Sequence, residues 1–187
     1  MTKRALDIGI ALVALCVLAA PILLVALLVR LTSPGPVLYW SDRVGRNNAL
    51  FRMPKFRSMR IDTPEVATHL LANPQAWLTP IGPFLRKSSL DELPQLWSIL
   101  RGDMSLVGPR PALFNQHDLI AQRTAAGVHR ILPGLTGWAQ IHGRDELPPD
   151  AKVALDAHYL QHQSLQMDLL ILWKTASKVL RGDGVIH

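Results

Sequence analysis

Cysteine is nearly absent: Cys16 is the only one in 187 residues. A disulfide framework and a cysteine-cluster metal site are both excluded. Charge is sparse too, at 18% of residues against 49% hydrophobic. That is too apolar for intrinsic disorder and greasier than a small soluble enzyme needs. Acids are the scarcer sign, with 20 Lys plus Arg against 14 Asp plus Glu, a formal charge of +6 and a pI near 10.0. The balance favours anionic partners: nucleic acid, phosphorylated metabolites or lipid headgroups. The length suits one domain with a real core and is too short for two full-sized ones. No low-complexity tract or long linker interrupts it. Asp91-Glu92-Leu93-Pro94 recurs as Asp145-Glu146-Leu147-Pro148, too short a string to mark a structural repeat.

What is present is a 22-residue stretch without charge, Ile8 to Val29. As a straight helix it reaches about 33 Å, enough to span a bilayer core. A cleaved signal peptide fits Lys3, Arg4 and Ala19-Ala20, but the apolar run continues well past Ala20, which such a signal does not require. Pro21 lacks an N–H and crowds the carbonyl of Val17, so it bends or breaks the helix. Lys3 and Arg4 precede the run, and Arg30, Arg43 and Arg46 follow it. Positive-inside asymmetry then places both flanks in the cytoplasm. From these residues alone, a re-entrant helix and a spanning one stand about even.

Thr32-Ser33-Pro34-Gly35-Pro36 ends the apolar segment as a turn cluster. Residues 37–40 and 49–51 read as short strands around a turn at 45–48. Helices are expected over 64–72, 91–101, 113–126, 150–162 and 165–180. In the last, Leu165, Leu169, Leu172, Trp173, Ala176 and Leu180 share a face, read as core packing ahead of membrane-surface contact. From Arg43 to Arg60 there are six cations, including Lys55 and Arg57, and no acid. They form a solvated face beside an anionic membrane, or some of them bind substrate phosphate.

Pro94 is tolerated only in a helix's first turn, which puts Asp91 and Glu92 at or next to an N-cap. One reading is structural: Ser89-x-x-Glu92 is a capping box. The other is chemical. A helix N-terminus attracts phosphate and favours an ionised carboxylate. Adjacent acids can put one carboxylate on phosphorus and the other on a divalent metal, and a carboxylate nucleophile needs no activating base near neutral pH. Downstream, Gly102-Asp103 leads into Gly108-Pro109-Arg110-Pro111. The prolines stiffen the loop around Arg110, which suits bidentate phosphate binding or a tie to Asp103. Pro133-Gly134-Leu135-Thr136-Gly137-Trp138-Ala139-Gln140, followed by Gly143-Arg144, is a third Gly-rich turn, with Arg144 a further phosphate-binding candidate. The second acid pair, Asp145-Glu146, reads as a turn and cap.

Together these segments resemble the bacterial sugar transferases, the monotopic phosphoglycosyl transferases, in their minimal catalytic form. The match runs from Lys3-Arg4-x-x-Asp7 through Lys55-Phe56-Arg57-Ser58-Met59 to the C-terminal helices. The resemblance implies an α-rich α+β fold. Residues 1–31 would form a re-entrant membrane helix broken at Pro21, with 32–187 a compact cytoplasmic domain carrying a short β-hairpin and amphipathic interfacial helices. It implies transfer of a sugar-1-phosphate from a UDP-sugar to a polyprenyl (undecaprenyl) phosphate at the cytoplasmic membrane face. UMP would leave through a covalent phosphosugar intermediate on Asp91, with Glu92 in metal binding or proton handling. Mg²⁺ would be held by Asp91 and Glu92. Arg86 and Arg110 match positions that contact phosphates; anionic lipid is an expected partner, nucleic acid is not, and the oligomeric state is left open. The chain departs from the pattern at Ala20, where Ser is common, and at His142, where Asn is common. The alternatives are an anchored basic module that binds acidic lipid or nucleic acid, and a structural subunit; neither has a use for Asp91-Glu92.

Overall fold

The structure, a computed structural model, describes residues 2–64, 71, 73–143 and 147–181, the last two by backbone alone. The chain opens with helices α1 (Thr2–Val17) and α2 (Ala19–Thr32), bent by 64° at the break between them. Among the described residues no single helix is long and apolar enough to cross a membrane, while the bent pair passes on length and composition together. Pro21 lies in the first turn of α2, where backbone N–H groups have no helical acceptor and a missing one costs little. Leu18 carries the ladder across the bend: its N–H donates to Ala14 at 2.8 Å and its carbonyl accepts from Ile22 at 2.8 Å. Ala20 therefore supplies no hydroxyl to the bend, and the backbone of Leu18 does the joining.

Lys3 and Arg4, expected as a basic flank, are fasteners. Lys3 Nζ pairs with Asp168 at 2.6 Å. Arg4 donates to the carbonyls of Ile99 at 2.6 Å and Leu100 at 3.0 Å, in a helix's last turn where carbonyls lack partners. Asp7, 2% exposed, accepts from Ser105 Oγ at 2.8 Å and from the Leu106 N–H at 3.0 Å. At the far end, Arg57 grips the turn after α2 through Ser33 and Pro34. Both ends of the helix pair are thus tied to one body. Ala11 enters the main core with Met53, Leu96, Ile99 and Met104, while Val25 and Val29 pack on Phe56 and Leu85. The outward faces expose Leu12, Val13, Val17, Leu23, Leu24 and Leu27.

Strands β1 (Leu38–Val44) and β2 (Leu50–Phe56) form an antiparallel hairpin with Asp42 opposite Arg52. Both are longer than the expected 37–40 and 49–51, because the pairing continues through polar residues from Ser41 opposite Met53 to Val44 opposite Leu50. At the tip, Asn47 and Asn48 take φ of 56° and 59°, a left-handed geometry Asn tolerates. A second, unexpected pair is parallel: β3 (Ser105–Val107) beside β4 (Gly134–Thr136). Its backbones approach so closely that a Cβ on Gly134 would lie 2.1 Å from the Gly108 nitrogen, and one on Gly108 2.4 Å from the Leu132 oxygen. The glycines of the second and third motifs therefore serve each other.

The remaining helices are α3 (Gly82–Lys87), α4 (Gln95–Arg101), α5 (His117–Ala125), α6 (Trp138–Ile141), α7 (Pro149–His162) and α8 (Leu165–Arg181). The helix expected from 91 starts at Gln95, after a 3₁₀ turn at Leu90–Glu92, and that expected from 113 starts at His117. The expected helix over 64–72, apart from Pro64 and Leu71, and the Asp145-Glu146 cap lie outside the described residues. In α8 the core-packing reading holds for Leu172, which packs on the main core, and fails for Leu165, Leu169 and Trp173, which are exposed, Trp173 at 68%; Asp168 and Ile171 are the buried ones. The buried face instead carries a polar tie. Tyr159 of α7, 1% exposed, places its hydroxyl 2.6 Å from Asp168 Oδ1 and 3.3 Å from the Val107 carbonyl. Burial first, then Asp168, holds this phenol far above its ordinary range, so it stays a donor. Tyr159→Phe removes a neutral donor from a buried carboxylate and should destabilise the fold by about 1–3 kcal/mol, read as a lower thermal unfolding midpoint.

Candidate active site

The 3₁₀ turn that carries Asp91 and Glu92 is set by Ser89, whose φ of 57° turns the chain sharply. Ser89 makes no side-chain cap, so the capping-box reading of Ser89-x-x-Glu92 does not hold. Asp91 and Glu92 are 8% and 9% exposed and line a cleft of about 500 Å³. Lys55 comes to it from β2, Arg86 from α3, and Arg110 from the loop after β3.

The two acids are not equivalent. Glu92 Oε1 accepts from Lys55 Nζ at 2.9 Å and from Arg110 at 3.2 Å. Among the described residues none donates a hydrogen bond to Asp91, whose cationic neighbours Lys55, Arg86 and Arg110 act through space. Burial pushes the Asp91 carboxyl above its usual range and the Glu92 charge adds to that, while the three cations pull it back. The ionising influence expected of a helix N-terminus is one that these three cations exert on Asp91. Burial also lowers the Lys55 ammonium, opposed by Glu92.

The other expected phosphate contacts divide. Arg110 is in place, and the alternative tie to Asp103 is not formed, because Asp103 pairs with Arg101 at 3.1 Å. Arg86 lines the cleft with one guanidinium nitrogen 3.3 Å from Met59 Sδ. Arg57 is 4% exposed and one of its nitrogens donates to the Ser33 carbonyl at 2.9 Å and to Ser33 Oγ at 2.8 Å, while the other reaches the Pro34 carbonyl. It fastens the exit of α2, a role its basic sequence surroundings did not reveal, and it also lines the cleft. Arg144 lies outside the described residues. His142 is exposed, with Nδ1 2.8 Å from the Trp138 carbonyl.

The model of the family described as bacterial sugar transferase matches residues 1–182. The chain belongs to the bacterial sugar transferase family. It is 40% identical, over 97% of its length, to an undecaprenyl-phosphate galactose phosphotransferase of Salmonella typhimurium, covering 41% of that protein. It is 36% identical, over 97% of its length, to a UDP-N-acetylgalactosamine-undecaprenyl-phosphate N-acetylgalactosaminephosphotransferase of Aeromonas hydrophila, covering 44% of it. A sugar transferase of Bacillus subtilis, EpsL, is 40% identical over 98% of this chain and is covered to 89%. The chain thus spans less than half the length of the first two of these relatives and most of the third.

Within this sugar transferase four more cations line the cleft that its motifs did not single out: Arg43 on β1, Arg60, Arg123 on α5 and Lys152 on α7. Arg43 was visible only as one of a basic run, and Arg123 carried no local signal. For a metal, the donor set is small: among the described residues no three His, Cys, Asp or Glu side chains group together. Two adjacent carboxylates open to a cleft are what Mg²⁺ accepts when substrate phosphates and water complete its shell. Asp91 and Glu92 fit that pattern and do not fit a closed, all-protein site.

Proposed function

We propose that this sugar transferase moves a sugar-1-phosphate from a UDP-sugar to undecaprenyl phosphate and releases UMP. One observation carries the reading. Of two adjacent carboxylates in a cationic cleft, Glu92 is tied by two cations, whereas among the described residues none donates a hydrogen bond to Asp91. The relatives named for undecaprenyl-phosphate transfer of galactose and N-acetylgalactosamine support the substrate classes.

Asp91 acts as the nucleophile. One of its oxygens attacks the sugar-bearing phosphorus, the bond from that phosphorus to the bridging oxygen breaks, and UMP leaves with the electron pair. An acyl phosphate now links Asp91 to the sugar phosphate. A phosphate oxygen of the polyprenyl carrier then attacks the same phosphorus and releases the Asp91 carboxylate, so no proton is gained or lost overall. Arg86 and Arg110 would offset diphosphate charge, and Lys55 keeps Glu92 oriented. Mg²⁺, held by Asp91 and Glu92 when bound, would neutralise charge on the phosphates.

Two steps suit the geometry, because one substrate is in water and the other in lipid. A covalent intermediate lets one interfacial site take them in turn. We read the bent α1–α2 pair as re-entrant, since both its ends fasten to one body, with that body at the cytoplasmic face of the membrane. The exposed apolar side chains of α8 suit the same surface. The test is UMP release by the detergent-solubilised protein, given undecaprenyl phosphate, Mg²⁺ and a panel of UDP-hexoses, N-acetylated and deoxy UDP-sugars. Release with at least one donor, dependent on the carrier for turnover, is expected. Release with none would overturn the reading and leave the anchored basic module.

A further inference from the structure

The loop that presents Arg110 is unusual in what its backbone offers. Prolines at 109 and 111 remove two N–H donors, leaving a run of carbonyls that need partners. Each finds one, from β1, β4 and α5. Gly134 N–H reaches the Pro109 carbonyl at 2.9 Å and Val44 N–H the Ala112 carbonyl at 2.9 Å. Arg43 donates to the Pro111 carbonyl at 3.2 Å. The carbonyl of Arg110 itself takes a hydrogen bond from Arg123 at 2.8 Å.

Arg123 is in turn held from behind. Its Nε and second terminal nitrogen donate to Asp156 Oδ2 at 3.0 and 2.6 Å. Asp156, on α7, is 1% exposed. The guanidinium plane is therefore fixed at two points before its last nitrogen touches the loop. A planar fork can do this and a lysine cannot. A plain α5–α7 salt bridge would explain the contacts to Asp156. It would not explain why the remaining nitrogen is spent on the one residue of the loop whose side chain reaches Glu92 at 3.2 Å.

We propose that Arg123 is a positioning residue: clamped by Asp156, it fixes the backbone of Arg110 and so the place of the Arg110 guanidinium beside Glu92. The chain of contacts runs from α7 to α5, to the loop, to the acid pair. This rests on the phosphoglycosyl transfer reading, and it adds that turnover depends on the α5–α7 junction.

A double-mutant cycle separates positioning from stability. Arg123→Gln, Arg110→Ala and the double variant are assayed for UMP release, using the most active UDP-sugar of the panel, undecaprenyl phosphate and Mg²⁺. Arg123→Gln should lower kcat by about 10- to 100-fold with KM for the donor changed much less. In the Arg110→Ala background it should cost less than about 2-fold further, because its action passes through Arg110. Urea midpoints should instead fall independently of the residue at 110. If Arg123→Gln proves unfolded, Arg123→Lys, which keeps the charge beside Asp156 and loses the fork, carries the same cycle. Unchanged kcat, or an equal loss of kcat in both backgrounds, overturns the proposal. An inactive wild-type protein would instead strike the transferase reading itself, so the two failures are distinguishable.

Discussion

Asp91→Asn should reduce UMP release by at least about 1,000-fold, as losses of a covalent nucleophile do, and leave the protein folded and membrane-bound. The amide has the size of the carboxylate and cannot displace UMP. The fold should not suffer, for a reason visible in the site. None of the described residues donates a hydrogen bond to Asp91, so the substitution strands no donor. Burial raises the Asp91 carboxyl above its ordinary range, which means that the folded state disfavours the charged form relative to the unfolded chain. Near neutral pH, above that range, a neutral side chain relieves this cost. The thermal midpoint is therefore expected to hold or rise while activity vanishes. Intact-mass measurement after incubation with donor alone gives the complementary result: wild type gains the mass of a sugar phosphate and the variant does not. Turnover near the wild-type rate would remove Asp91 from the nucleophile's role.

How much of this was legible beforehand depended on whether the signal was local. The acid pair could be read because adjacency is itself the chemistry, and Pro94 bounded the helix that follows. The true start at Gln95 was missed because Ser89 in a left-handed conformation inserts a 3₁₀ turn that composition does not announce. The uncharged run displayed the α1–α2 pair. Pro21 marked the bend, although the break falls before it, where Leu18 still satisfies its neighbours. The parallel pairing of β3 with β4 was invisible: its strands are too short for alternation, and Gly108 and Gly134 look like loop glycines until their backbones meet. Basic residues were the hardest to sort. Arg57 and Arg110 look alike in the chain, yet one is consumed by the carbonyls of Ser33 and Pro34 and the other reaches Glu92. Arg123 acts through a backbone carbonyl, a contact with no sequence signature. The apolar face of α8 is equally consistent with a core or a membrane surface, and only tertiary placement shows it outward.

Asp7→Ala should cost about 3 kcal/mol and lower the thermal midpoint in detergent by roughly 10 °C for a chain of this size. Asp7 is the point where the anchor helix meets β3, accepting from Ser105 Oγ and the Leu106 N–H in a fully buried setting. Alanine leaves both donors without partners, and a buried unsatisfied donor costs more than the bond it made. Asp7→Asn separates this from an effect of charge. Its amide oxygen can keep the Leu106 bond, and the Ser105 hydroxyl can turn to accept from the amide nitrogen, so most of the loss should be recovered. Equal midpoints for the alanine variant and wild type would show that the buried bonds contribute nothing. The consequence for function follows from connectivity. β3 runs through Gly108 directly into the loop that carries Arg110, so a bond that seats α1 on β3 also sets where the cationic wall of the cleft stands relative to the helix pair that we propose to be re-entrant. On the proposed reading, in which the second substrate lies in the bilayer, that distance must be held constant, and Asp7 holds it from inside the core.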